Sequence, residues 1–174
     1  MKTDFQKIFK YQEKAGWCGP AVIQMALLAA GIKKTQKAIA KDVYKSWWGT
    51  NQAIMYSYLS RYFKKLDFKE GAKISDLKHH LDRKHLVIVN WWDDYDSKPN
   101  EDCGHYSLVF DYNEKTKMLT LGDPSSDGGI WKISVRDFEA RWYDSLDQRG
   151  KKWVEGWFLW VDTKIEQVTI LFRH

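Results

Sequence analysis

The chain has 174 residues with a formal charge of +5, 44% hydrophobic and 29% charged side chains, enough to bury roughly two thirds of its unfolded surface in one domain and too apolar to stay disordered. Its lysines are scattered among acids at positions 33–45, 64–73 and 151–152, as on solvated helix faces; a nucleic-acid binder gathers them in a stripe with interleaved aromatics. The start, MKTDFQKIFK, has no apolar core, and the longest apolar run, residues 26–30, is far too short to cross a bilayer, so a cytoplasmic protein without membrane association is expected.

In chain order, GPAVIQMALLAAG carries Ala21, Val22, Met25, Ala26, Leu28 and Ala29 at helical spacing, with Pro20 suited to a first turn and Gly31 to a C-terminal stop. Thr35 is placed to cap a second helix through Val43, Thr50 a third carrying Ile54, Tyr58 and Leu59, and Ser75 a fourth through Leu81. The texture changes at Leu86, where LVIVNWW reads as an interior strand. HYSLVFDY and KMLTLGD follow, joined by NEKTK, a polar connection of hairpin length, so they are predicted to pair antiparallel. Then come the strand GIWKISV, a short helix over 135–142, a polar loop SLDQRGKK, and the strands GWFLWVD and QVTILFR. A helical half followed by an antiparallel half, with no linker between, predicts an α+β fold in a single domain spanning residues 1–174.

Two cysteines, Cys18 and Cys103, are too few for a disulfide framework, and no CxxC pair marks a zinc site, so reduced thiols, no metal and no cofactor are expected. Cys18 falls at the start of the first long helix, where free amide donors and partial positive charge favour a thiolate. Gly19 lets a substrate backbone approach, and Gln12, six residues upstream of Cys18, can turn its amide toward a developing oxyanion. A thiol nucleophile needs a base, and the base an orienting acceptor. His105 begins one strand of the predicted hairpin and Asp123 ends the other, which makes them neighbours across the ladder.

Gln12, the run CGPA from Cys18, GHYSLVFDY with His105 and GDPSS with Asp123 together closely resemble the C39-type, papain-like cysteine peptidases, in particular the stand-alone C39-like proteins. Gly49-Thr50 before the third helix, ISDLKHHL, VRDFEARWY and GWFLWVD fall in the same order as in that family. The resemblance implies a papain-like fold, a helical half packed on an antiparallel sheet. It further implies Cys18 as nucleophile, His105 as general base and acid, Asp123 as imidazole orienter and Gln12 in the oxyanion hole, cleaving a peptide or amide bond through a thioester. The best-known members are N-terminal domains of ABC exporters that cut leaders after a double glycine. No membrane or ATPase segment follows here, so that role is not expected to carry over, and Gly128-Gly129 reads as a turn.

Two alternatives stand beside this reading: γ-glutamyl transfer of the phytochelatin-synthase type, whose members resemble the same core, and a non-catalytic member that holds a peptide in its groove. Trp17, Gly19, Gly104 and Trp92 are the candidate substrate-binding residues, Trp17 beside the nucleophile and Trp92 before an acidic loop, residues 93–102, that is placed to attract a basic substrate. Cys103, two residues before His105, is expected to be an inert thiol or the partner in a regulatory thiol pair. The remaining tryptophans are expected in core or groove wall, and His79, His80, His85 and His174 at the surface or helix ends.

Overall fold

The computed structural model describes residues 5–46, 49–92, 104–145 and 152–164. The acidic loop with Cys103, the pair Trp47-Trp48, the strand expected in QVTILFR and His174 lie outside them. The elements in order are α1 (Phe5–Ile8), α2 (Cys18–Ala29), α3 (Gln36–Val43), α4 (Gln52–Leu59), β1 (Leu66–Lys69), α5 (Ile74–Asp82), β2 (Leu86–Trp92), β3 (Gly104–Asn113), β4 (Met118–Asp123), β5 (Gly129–Ser134), α6 (Val135–Glu139), β6 (Tyr143–Ser145), β7 (Trp153–Glu155) and β8 (Phe158–Val161).

Six strands form one sheet in the order β1-β8-β2-β3-β4-β5, and β6 pairs with β7 in a two-stranded ribbon. Every pairing is antiparallel. The fold is thus α+β, with a helical N-terminal half packed on the sheet. Alternation along the strands splits the core in two. Ile88, Tyr106, Leu108, Phe110 and Leu159 join residues of α2 to α4 on one face. Val87, Val89, Trp91, Val109 and Phe158 join Leu77 of α5 and Phe138 of α6 on the other. The central strands are therefore apolar on both sides, which is why β2 reads as a continuous apolar run.

Helix α2 lies inside this core, with Ala21, Val22, Ile23, Met25, Ala26 and Leu27 buried, and stops at Gly31, whose φ of 76° glycine tolerates without strain. Thr35 caps α3, accepting from the Ala38 N–H at 3.2 Å. Two caps differ from the sequence expectation. Asn51, not Thr50, caps α4, its Oδ1 accepting from the Ile54 N–H at 3.0 Å, because an Asx side chain spans that turn as readily as threonine. Helix α5 begins one residue before Ser75, where the Asp76 carboxylate accepts the Lys73 N–H at 2.8 Å. Helix α6 is shorter than expected, ending at Glu139, because the chain turns there to enter β6. Among the described residues no helix is long and apolar enough to cross a membrane.

Candidate active site

Cys18 is the first residue of α2 and is 9% exposed. The amides of that first turn have no acceptor inside the helix, so they point toward whatever lies before it. His105, 6% exposed, is the second residue of β3, and Asp123, 5% exposed, is the last of β4. The β3–β4 ladder at this end closes on the pair Leu108 and Gly122. Asp123 therefore follows the last paired residue and reaches diagonally along the sheet, and its Oδ1 lies 2.6 Å from His105 Nε2. The Cys18 thiol interacts with the same imidazole and favours its charged form.

Burial opposes a charged imidazole, but the bonds to Asp123 and Cys18 outweigh it and hold the His105 pKa well above its ordinary value. Burial likewise opposes the Asp123 carboxylate; the hydrogen bond from His105 and those from Ser125 reverse this and hold its pKa below the ordinary one. Ser125 donates to Oδ1 twice, from its backbone N–H at 3.0 Å and from its hydroxyl at 2.8 Å. An Asx turn over Asp-Pro-Ser thus orients the carboxylate. The indole of Trp91 stands edge-on to the imidazole with centroids 6.1 Å apart, and its N–H donates to Ser107 at 3.0 Å.

Gln12 lies in the loop before α2. Its backbone N–H donates to the Pro124 carbonyl at 2.7 Å, and the next residue's N–H donates to the Gln36 side chain at 2.9 Å. The loop is thereby tied both to the turn after Asp123 and to α3. Among the described residues no hydrogen bond holds the half-buried Gln12 side chain.

The proposed substrate-binding residues fall in different places. Gly104 lines a cavity beside Cys18. Trp17 is buried behind the helix start, edge-on to Tyr44, a wall residue of that cavity, with the Lys14 ammonium over its ring. Gly19 packs under Thr50, whose side chain fills the space a Cβ would need. Trp92 pairs with Gly104 across the β2–β3 ladder, and its ring stacks on Tyr143 at 5.8 Å and meets Trp153 at 5.7 Å.

Residues that the sequence reading did not single out complete the surroundings. Gln52 Nε2 donates to Asn90 Oδ1 at 2.7 Å, and Asn90 Nδ2 donates to the His105 carbonyl at 3.2 Å. The Tyr106 hydroxyl donates to the Thr50 carbonyl at 2.9 Å. The start of α4 is thus fastened to the strand that carries the histidine. The available signal was Asn90 itself, a polar residue inside LVIVNWW that must find partners once buried. Among the described residues no group of three or more His, Cys, Asp or Glu side chains can hold a metal ion.

A family model described as the Peptidase_C39 like family matches residues 4–149. None of the curated proteins matches the chain. Among solved structures, the peptidase domain of Streptococcus ComA, a bi-functional ABC transporter involved in quorum sensing, is 15% identical over 88% of this chain and 96% of that one, with a TM-score of 0.65. A C39-like protein from Bacillus anthracis is 16% identical over 88% and 94%, with a TM-score of 0.64. A double glycine motif protease from an AMS/PCAT transporter, crystallised with the leader peptide, is 16% identical over 88% and 89%, with a TM-score of 0.58. At these identities the likeness is one of fold.

Proposed function

Because the chain belongs to the Peptidase_C39 like family, we propose that it is a cysteine peptidase or amide hydrolase whose whole length acts as one papain-like domain in the cytoplasm. The observation that carries this reading is the buried His105–Asp123 pair, 2.6 Å apart, whose imidazole also interacts with the buried Cys18 thiol at the start of α2.

In this reading the Cys18 proton resides on His105 before attack, so Sγ adds to the substrate carbonyl beside an imidazolium, while Asp123 holds Nε2–H and the ring's orientation. The oxyanion is met by the Cys18 backbone N–H and the Gln12 side-chain amide. Collapse breaks the C–N bond, the imidazolium protonates the leaving amine, and a thioester remains on Sγ. Water then attacks the thioester as the neutral His105 takes its proton, the C–S bond breaks, and the imidazolium is restored beside the released sulfur. The alternative of a non-catalytic groove is disfavoured by the orientation of His105, which a peptide-holding surface does not require.

The test is digestion of a complex peptide mixture by the wild-type protein, Cys18→Ser and His105→Ala, with new termini read by mass spectrometry. The reading predicts cleavages that only the wild type makes; identical termini from all three would refute it.

A further inference from the structure

Gln36, the first residue of α3, is a buried polar side chain with 1% exposure, and an amide desolvated to that degree must find partners for its oxygen and both of its N–H bonds. It finds all three. Oε1 accepts the Glu13 N–H at 2.9 Å, and Nε2 donates to the Tyr11 carbonyl at 2.7 Å and to Gln24 Oε1 at 3.1 Å. A backbone N–H only donates and a backbone carbonyl only accepts, so the Gln36 amide has one orientation here. Gln24 is fixed in turn, because its Nε2 donates to the Lys34 carbonyl at 2.7 Å and its oxygen is the end that meets Gln36.

The two backbone groups that Gln36 binds flank Gln12. The peptide unit between residues 11 and 12 is held at both ends, the Tyr11 carbonyl by Gln36 and the Gln12 N–H by the Pro124 carbonyl at 2.7 Å. The unit between residues 12 and 13 is held through the Glu13 N–H. Each unit is planar, so fixing the two that meet at the Gln12 Cα fixes φ and ψ there, and with them the direction of the Cα–Cβ bond. Among the described residues no hydrogen bond holds the Gln12 side chain itself, so its placing depends on the backbone that carries it. Gln24 stands on α2, the helix that Cys18 begins. The same network therefore refers the Gln12 backbone to the nucleophile's helix on one side and, through Pro124, to the residue after Asp123 on the other.

We propose that Gln36 is the positioning residue for Gln12: its amide sets the root of the Gln12 side chain and so preorganises the oxyanion hole. Gln36 touches neither substrate nor reacting atoms and acts through Gln12. The catalytic part of the proposal rests on the peptidase reading and the oxyanion role given there to Gln12; the restraint on the Gln12 backbone does not.

The test compares full-length wild type, Gln36→Leu, Gln12→Ala and the double variant. The first reading is hydrolysis of p-nitrophenyl acetate, with the rate of Cys18→Ala subtracted, because acyl transfer from this ester develops an oxyanion without peptide recognition. Gln36→Leu is expected to lower kcat/KM about 10–10²-fold in the wild-type background. In the Gln12→Ala background its effect is expected to stay under about twofold, since the donor it positions is already gone. The second reading is alkylation of Cys18 by iodoacetamide, a displacement that uses the thiolate but no oxyanion hole. Its rate is expected to stay within about twofold of wild type in Gln36→Leu, which general damage to the site would not allow. The third is hydrogen exchange at the Gln12 N–H, which is bonded to Pro124 and not to Gln36. Relative to the amides of β3 it is expected to exchange about tenfold faster in Gln36→Leu. Gln36→Met, unbranched and close in length, takes the same three readings where the leucine variant does not fold. An equal loss of turnover with and without Gln12, alkylation that falls in step with turnover, or unchanged exchange at Gln12 would each overturn the proposal. A wild type without Cys18-dependent turnover would defeat the peptidase reading, while faster exchange at Gln12 would keep Gln36 as the residue that positions it.

Discussion

The backbone N–H of Gln12 donates to the carbonyl of Pro124 at 2.7 Å, so the loop before the nucleophile is fastened to the residue that follows Asp123. That bond joins the helical half to the sheet and holds Gln12 near the carboxylate end of the site. Under the proposed oxyanion role of Gln12, Gln12→Ala is expected to lower kcat roughly 10²–10³-fold with little change in KM, as loss of one preorganised donor does. Steady-state kinetics on a cleaved peptide decide this, and a change confined to KM would remove Gln12 from the oxyanion role.

The pair His105 and Asp123 predicts two linked pH effects. The folded-state pKa of His105 lies above its ordinary 6.5, so its protonated form contributes stability fully present below about that pH and lost as pH rises through the folded value. Activity that needs the imidazolium as acid therefore persists above pH 6.5 and declines on the alkaline side. Asp123, held below its ordinary value, contributes stability that is lost as pH falls through the folded value. Asp123→Asn is expected to bring the His105 pKa down, as read by NMR titration of the ring, and to lower kcat roughly 10²–10⁴-fold. An unchanged His105 titration would refute the orienting role.

The Gln52–Asn90–His105 line predicts coupling between a cavity wall and the base. Asn90→Leu removes the acceptor of the Gln52 amide and one donor to the His105 carbonyl, and is expected to destabilise the protein by roughly 1–3 kcal/mol. Gln52→Leu combined with Asn90→Leu is expected to cost less than the sum of the single variants, because both remove one network. Chemical denaturation measures these changes, and additive effects would show that the two amides act independently. A positioning role further requires the His105 ring titration to move in Gln52→Leu, which a purely structural contribution would not produce.

Much of this site was legible in the sequence, and the reasons are local. The apolar period of GPAVIQMALLAAG specifies α2 and so sets Cys18 at a helix start; the hairpin around NEKTK brings His105 and Asp123 to the same end of the sheet. What stayed hidden depends on tertiary neighbours. Strand β1, with Leu66 half-buried and the rest exposed, has too weak an alternation to read as a strand, and it exists because β8 pairs with it. Strands β6 and β7 are three residues each, short of any readable period. The diagonal reach of Asp123 reflects the end of the ladder at Gly122, a register that the two strands alone do not determine. Ser125 and Gln52 are ordinary polar residues until the fold places them against Asp123 and Asn90.

A histidine cluster away from the candidate active site predicts acid sensitivity. His80 and His85 share a hydrogen bond between Nδ1 atoms at 3.0 Å, and both rings stack on Trp160 with centroids 4.6 Å away. Burial, then the neighbouring His85, pushes the His80 pKa down to about 4, with His79 and Arg83 adding to the effect and Asp76 opposing it. The folded state thus resists protonation there, and stability present above pH 6.5 is lost as pH falls toward 4. His80→Phe, which keeps the stacking on Trp160, is expected to flatten that part of the denaturation free energy between pH 7 and pH 5; an equal slope in both proteins would contradict it.

The central claim is that Cys18 carries the acyl group, and intact-protein mass spectrometry during turnover of a peptide thioester or activated ester measures this directly. The account predicts an acyl adduct on Cys18 that forms in the wild type, accumulates when Gln12→Ala or Asp123→Asn slows its hydrolysis, and is absent from Cys18→Ala. Turnover with no adduct on Cys18, or undiminished turnover by Cys18→Ala, would contradict it.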